Sequence, residues 1–63
     1  MQSKENIQNQ YEELKSLLLS IEVDLLKNLS GNKSAGVRAR KALREVKKKA
    51  TDLIKNTIAH EKE

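Results

Sequence analysis

Leu29-Ser30-Gly31-Asn32-Lys33-Ser34 is the one place where this sequence stops reading as helix. Gly31 can adopt the left-handed backbone that closes a helix C-terminus, and an apolar neighbour such as Leu29 often packs against such a cap. Asn32 or Ser34 can then accept hydrogen bonds from the first free N–H groups of a following helix. The interruption is only about four residues long, which favours two helices lying side by side and antiparallel. The chain has no proline to break either flank. The sequence therefore predicts a first helix over about 4–29, a turn over 30–33 and a second helix over about 34–59.

Upstream of the turn, Ser3 and Asn6 are candidate caps ahead of Ile7. Ile7, Tyr11, Leu14, Leu18, Ile21 and Leu25 then recur at alternating spacings of four and three, the seam of a coiled coil. Leu19, Val23 and Leu26 form a second apolar stripe further round the same helix. One partner helix cannot cover both stripes, and a helix apolar on more than one side is central or shared between subunits. Dimerisation is the expectation.

Downstream, Ala39, Leu43, Val46, Ala50, Leu53 and Thr57 repeat the same spacing, widened by Ala42, Ile54 and Ile58. Alanines on the seam let two helices approach closely. Gly36 lowers helix propensity by about 1 kcal/mol relative to alanine. Either a neighbour comes close to its backbone, or it marks a weak first turn; the sequence leaves both open. The fold class expected is all-α: residues 1–63 form one antiparallel helical hairpin that pairs into a four-helix bundle. Ile7, Tyr11, Leu14, Leu18, Ile21, Leu25, Leu43, Val46 and Leu53 are its core and dimer residues.

A chain of 63 residues has room for one small core and usually needs a disulfide, a metal or another subunit to hold it. It has no cysteine, and its one histidine, His60, has no second ligand at a useful spacing, so it reads as a solvated side chain. No metal or cofactor is expected, which again points to a second copy. The absence of Trp and Phe, with Tyr11 the sole aromatic, removes the stacking platforms on which single-strand nucleic-acid modules depend. The longest apolar run is Leu17-Leu18-Leu19 and nothing resembles an export leader, so a soluble cytoplasmic protein is expected. The sequons at Asn28 and Asn32 are then accidental.

Charge is segregated. Residues 1–30 carry three Lys against five Asp or Glu, whereas residues 31–63 carry ten Lys or Arg against four acids. Lys33, Arg38, Arg40, Lys41, Arg44, Lys47, Lys48 and Lys49 face a single acid, Glu45. Like charges at helical spacing, such as Arg40–Arg44 and Arg44–Lys48, destabilise an isolated helix by a few tenths of a kcal/mol each, roughly. Phosphates would relieve that repulsion. At about 100° per residue, Lys41, Arg44, Lys48 and Lys55 oppose the Leu43–Val46–Leu53 side. Lys33, Arg38, Arg40, Lys41, Arg44, Lys47 and Lys48 are thus the candidate contacts to double-stranded DNA. No Asn or Gln lies between Lys33 and Lys49 to read adenine edges, so sequence-tolerant phosphate binding is the expectation.

Other classes fit less well. There is no nucleophile–histidine–carboxylate set and no phosphate-cradling loop after a strand, so neither an enzyme nor a small-molecule substrate is expected. A membrane-surface helix would want Trp or Phe where the second helix has Ala and Thr. A coiled-coil adaptor whose basic face docks an acidic protein is the competing reading.

At Gly31-Asn32-Lys33-x-Ala35-x-x-Arg38-x-Arg40 the sequence resembles the chlamydial-type histone-like proteins, bacterial relatives in name of the eukaryotic linker histone. The string follows a leucine-rich first helix and precedes a lysine-bearing second one. The resemblance implies a nucleoid-associated protein that binds DNA with little sequence preference and condenses it. It carries Lys33, Arg38 and Arg40 into that role. Some members bear a long Lys/Ala-rich tail where this sequence has Glu61-Lys62-Glu63, which throws the burden of binding onto the helix itself.

Overall fold

The computed structural model describes residues 2–62, with side chains from residue 4 onward. Two helices, α1 (Gln2–Leu29) and α2 (Lys33–Glu61), make an antiparallel hairpin. The candidate cap Ser3 lies outside the described side chains, and Asn6 sits inside α1 rather than capping it.

Both helix ends at the turn are satisfied by one short segment. Gly31 has φ 105°, and its N–H donates to the Asn28 carbonyl at 2.9 Å while the Asn32 N–H donates to the Lys27 carbonyl at 3.0 Å. This is the paired closure that a left-handed glycine makes possible at a helix C-terminus. Asn32 then turns round to start α2: its extended backbone (φ −83°, ψ 103°) aims Oδ1 at the Ala35 N–H, 3.0 Å away. Asn32, not Ser34, is the cap.

Cross-links between the helices set the register. Arg38 pairs with Asp24, Lys49 with Glu13, and the Asn56 amide donates to Gln10, at sequence separations of 14, 36 and 46 residues. Separations that grow away from the turn are the mark of antiparallel neighbours.

The seam is rotated from the one that apolar spacing alone suggests. α1 turns Ile7, Gln10, Leu14, Leu17, Ile21, Asp24 and Asn28 toward α2, so Ile7, Leu14 and Ile21 pack within the hairpin. Tyr11, Leu18 and Leu25 stay 54%, 48% and 41% exposed. On α2, Ala35, Ala39, Ala42, Val46, Ala50 and Leu53 face α1, while Leu43 remains outside the seam with Ile54 and Ile58. The physical reason lies at the turn. The helices come close where Asn28 meets Gly36, and Ala35 and Ala39 are buried beside that contact. That contact fixes which side of α1 is presented for the rest of its length, and the Asp24 and Glu13 ion pairs keep it there. His60 is half-buried on the seam side rather than solvated.

Gly36 is a close-approach position. A methyl group there would overlap the Asn28 side-chain amide, whose nitrogen donates to the Asn32 carbonyl at 3.3 Å. Gly36→Ala should therefore destabilise the protein by about 1 kcal/mol: the helix-propensity gain is about 1 kcal/mol and overpacking costs about 1–3 kcal/mol. In an Asn28→Ala background the same change should become stabilising, because the obstruction is gone. Urea unfolding of the four chains checks the reversal of sign; a Gly36→Ala chain more stable than its parent would show that Asn28 simply swings aside.

Candidate nucleic-acid interface

The cationic surface is built by helix period. At about 100° per residue, Lys33, Arg40, Lys41, Arg44, Lys47, Lys48, Lys55 and Lys62 fall in an arc of about 120° on the side of α2 turned away from α1. All eight are exposed. The described acids of the second half, Glu45, Asp52 and Glu61, fall outside that arc. An α-helix rises about 1.5 Å per residue, so the arc runs roughly 43 Å, more than one turn of B-form duplex at about 34 Å. The hairpin behaves as a rod, 48 × 15 × 11 Å in its Cα extents.

Two of the basic residues in the stretch have partners in their own chain. Arg38 Nε donates to Asp24 Oδ1 at 3.2 Å, with the Arg38 side chain still 54% exposed. Lys49 Nζ lies 3.4 Å from Glu13 Oε2. Both sit on the flank of α2 that leans over α1. Six of the seven sequence-predicted contacts, Lys33, Arg40, Lys41, Arg44, Lys47 and Lys48, thus stand together in the outward arc. Arg38 stands beside it as a clamp on the hairpin. Lys55 and Lys62 lengthen the arc toward the end of α2. The clamping role had a readable signal: once the turn is centred on Gly31, an antiparallel register sets Asp24 opposite Arg38.

The motif Gly31-Asn32-Lys33-x-Ala35-x-x-Arg38-x-Arg40 resolves into parts of one device. Gly31 and Asn32 make the turn, Ala35 is fully buried in the helix contact, Arg38 ties α2 to α1, and Lys33 and Arg40 enter the arc. The first four act on the fold, Arg38 keeping about half of its side chain exposed, and the last two project into the arc. The glycine–lysine string is therefore a helix junction with no cradle for a nucleotide phosphate.

On the face that carries the two ion pairs, a shallow groove of about 720 Å³ runs past Glu12, Glu13, Glu45 and Lys49. Among the described residues no group of His, Cys, Asp or Glu is arranged to hold a metal ion, and no helix is long and apolar enough to cross a membrane.

A family model for the histone H1-like protein Hc1 matches residues 8–63. No curated protein and no solved structure gives a match. The matched span takes in most of α1, the turn that sets the register, and the whole cationic arc. On that match this chain belongs to the histone H1-like Hc1 family.

Proposed function

We propose that the protein is a histone-like, nucleoid-associated protein of the cytoplasm that binds duplex DNA with little sequence preference and compacts it. One observation carries the reading: eight exposed cations share one side of a rod longer than a duplex turn, and no described acid of α2 interrupts them. Lys33, Arg40, Lys41, Arg44, Lys47 and Lys48 contact phosphates, and the exposed edge of the Arg38 guanidinium joins them. Membership of a histone H1-like family supports the same partner. The reading assigns no catalysis, no cofactor and no small-molecule substrate.

Phosphate contacts give affinity without sequence information, and their counter-ions make it salt-dependent. If one copy engages about five phosphates, log K falls against log salt with a slope of roughly −4 to −5. Titrating several unrelated duplexes at a series of salt concentrations tests this. Similar affinities with that slope support the proposal. Absence of binding at low salt would favour the adaptor reading, in which the same arc docks an acidic protein.

A further inference from the structure

The cations of α2 shift their place on the helix along its length. With the midline of the arc drawn through Arg44, Arg40 and Lys47 lie about 40–60° to one side and Lys41 and Lys48 about 40–60° to the other. Lys33, Lys55 and Lys62 lie within about 20° of the midline. The middle of the arc therefore carries most of its charge on two edges, and its ends carry theirs on the midline. All of these side chains are exposed.

Between the edges the midline is short and uncharged, apart from Arg44. Val37 and Thr51 stand seven residues to either side of it. Val37 is 58% exposed, an apolar side chain set among cations. Thr51 is exposed too, and its hydroxyl donates to the Lys47 carbonyl at 3.0 Å, which leaves the methyl as the group it can offer outward.

A helix resting on one strand of phosphates needs the reverse, with cations along the midline where it comes nearest the backbone. Two charged edges around a short, largely apolar line match a groove, with phosphates along both walls and base edges below. The major groove of B-form DNA is about 12 Å wide and 8.5 Å deep, and an α-helix with its side chains is about 10–12 Å across. The minor groove, about 6 Å wide, is too narrow for it. A straight rod cannot follow a groove that winds round the duplex. It leaves the groove at both ends and passes over the backbone, where phosphates lie beneath its midline. Lys33 and Lys55 are each eleven residues from Arg44, about 16 Å along the axis, and both are on the midline.

We infer, with the arc read as a phosphate surface, that α2 lies in the major groove from Val37 to Thr51 and rides over the backbone at Lys33 and Lys55. Arg40 and Lys47 reach the phosphates of one wall, and Lys41 and Lys48 those of the other. Arg44 is long enough to join either. Val37 and the Thr51 methyl face the floor, where thymine methyls are their apolar contacts. Such contacts read little sequence, because neither group hydrogen-bonds to a base edge. Glu45 and Asp52 lie about 80–100° from the midline, outside the Lys41–Lys48 edge. Their repulsion by phosphate keeps the helix from rolling toward that wall.

Glucosylated 5-hydroxymethylcytosine fills the major groove with sugar and leaves the phosphates unchanged. The full chain should bind a duplex in which every cytosine is so modified about tenfold more weakly, or worse, than the same sequence with plain cytosine, because the groove alone has been closed. Fluorescence anisotropy at several salt concentrations reads this. Dimethyl sulfate gives a second view, since it methylates guanine at N7 in the major groove and adenine at N3 in the minor groove. At saturating protein, guanine should be protected and adenine should not. Equal affinity for the two duplexes, with a steep salt slope, overturns the groove seating and leaves the DNA reading in place. Protection of adenine in place of guanine overturns the seating as well. Absence of binding to the plain duplex at low salt removes the DNA reading, and the seating falls with it.

Discussion

Ala39→Leu is expected to prevent the hairpin from closing. Ala39 is 1% exposed, one helical turn beyond the fully buried Ala35 and next in sequence to Arg38, which pairs with Asp24 on α1. A leucine there adds three carbons where no space exists, and overpacking of this kind costs about 1–3 kcal/mol and sometimes more. A domain of this size holds only about 3–5 kcal/mol in total, so the change removes a large share of its stability. Far-UV circular dichroism should show much of the helix lost at room temperature, with the remainder melting broadly. The control is Ala59→Leu, at an exposed position of the same helix, which should hardly shift the urea midpoint. Similar behaviour of the two variants would mean that Ala39 is not where the helices meet.

Removing charge from the arc should have the opposite effect on folding and a large effect on binding. Arg40, Arg44 and Lys48 follow one another at i, i+4 on the exposed side of α2, where like charges repel by a few tenths of a kcal/mol per pair, roughly. Replacing all three with glutamine relieves that repulsion, so helicity and stability should hold or rise slightly. Each lost phosphate contact takes about 0.9 from the salt slope; three should flatten it by about 2.7 and weaken binding on the order of a hundredfold or more at 0.1 M salt. Fluorescence anisotropy on a labelled duplex at several salt concentrations reads both quantities. A collapse of helicity would make those residues structural, and an unchanged slope would place the phosphate contacts elsewhere. Arg38 is left out of the set because its bond to Asp24 would mix loss of folding with loss of binding.

The contrast between these two variants follows from how the chain distributes its work. Small residues near the turn bring the helices together, and long cationic residues on the far side of α2 remain free. The Gly31–Arg40 string spans both tasks. Its Gly31, Asn32 and Ala35 build the junction, and Lys33 and Arg40 start the charged side that the junction orients. A change at Gly31 would therefore affect DNA binding indirectly: a residue with Cβ is strained at φ 105°, costing about 1–2 kcal/mol, and the register of every later side chain depends on that turn.

By itself the sequence determined the two helices, the turn, the antiparallel hairpin and the outward cationic arc. Each is a local property: a glycine that tolerates positive φ, an asparagine that caps, and charges that recur at the period of a single helix. Only the tertiary structure decided which apolar stripe of α1 meets α2. α1 is apolar round more than half its circumference, so spacing alone offered Tyr11, Leu18 and Leu25 as readily as Leu17. Close approach of Asn28 to Gly36, with Ala35 and Ala39 beside it, chose among them, and no local pattern reports how near two backbones can come. The same contact left Leu43, Ile54 and Ile58 outside, turned Gly36 from an ambiguous glycine into a close-approach position, and drew Arg38 from the charged surface to its ion pair with Asp24.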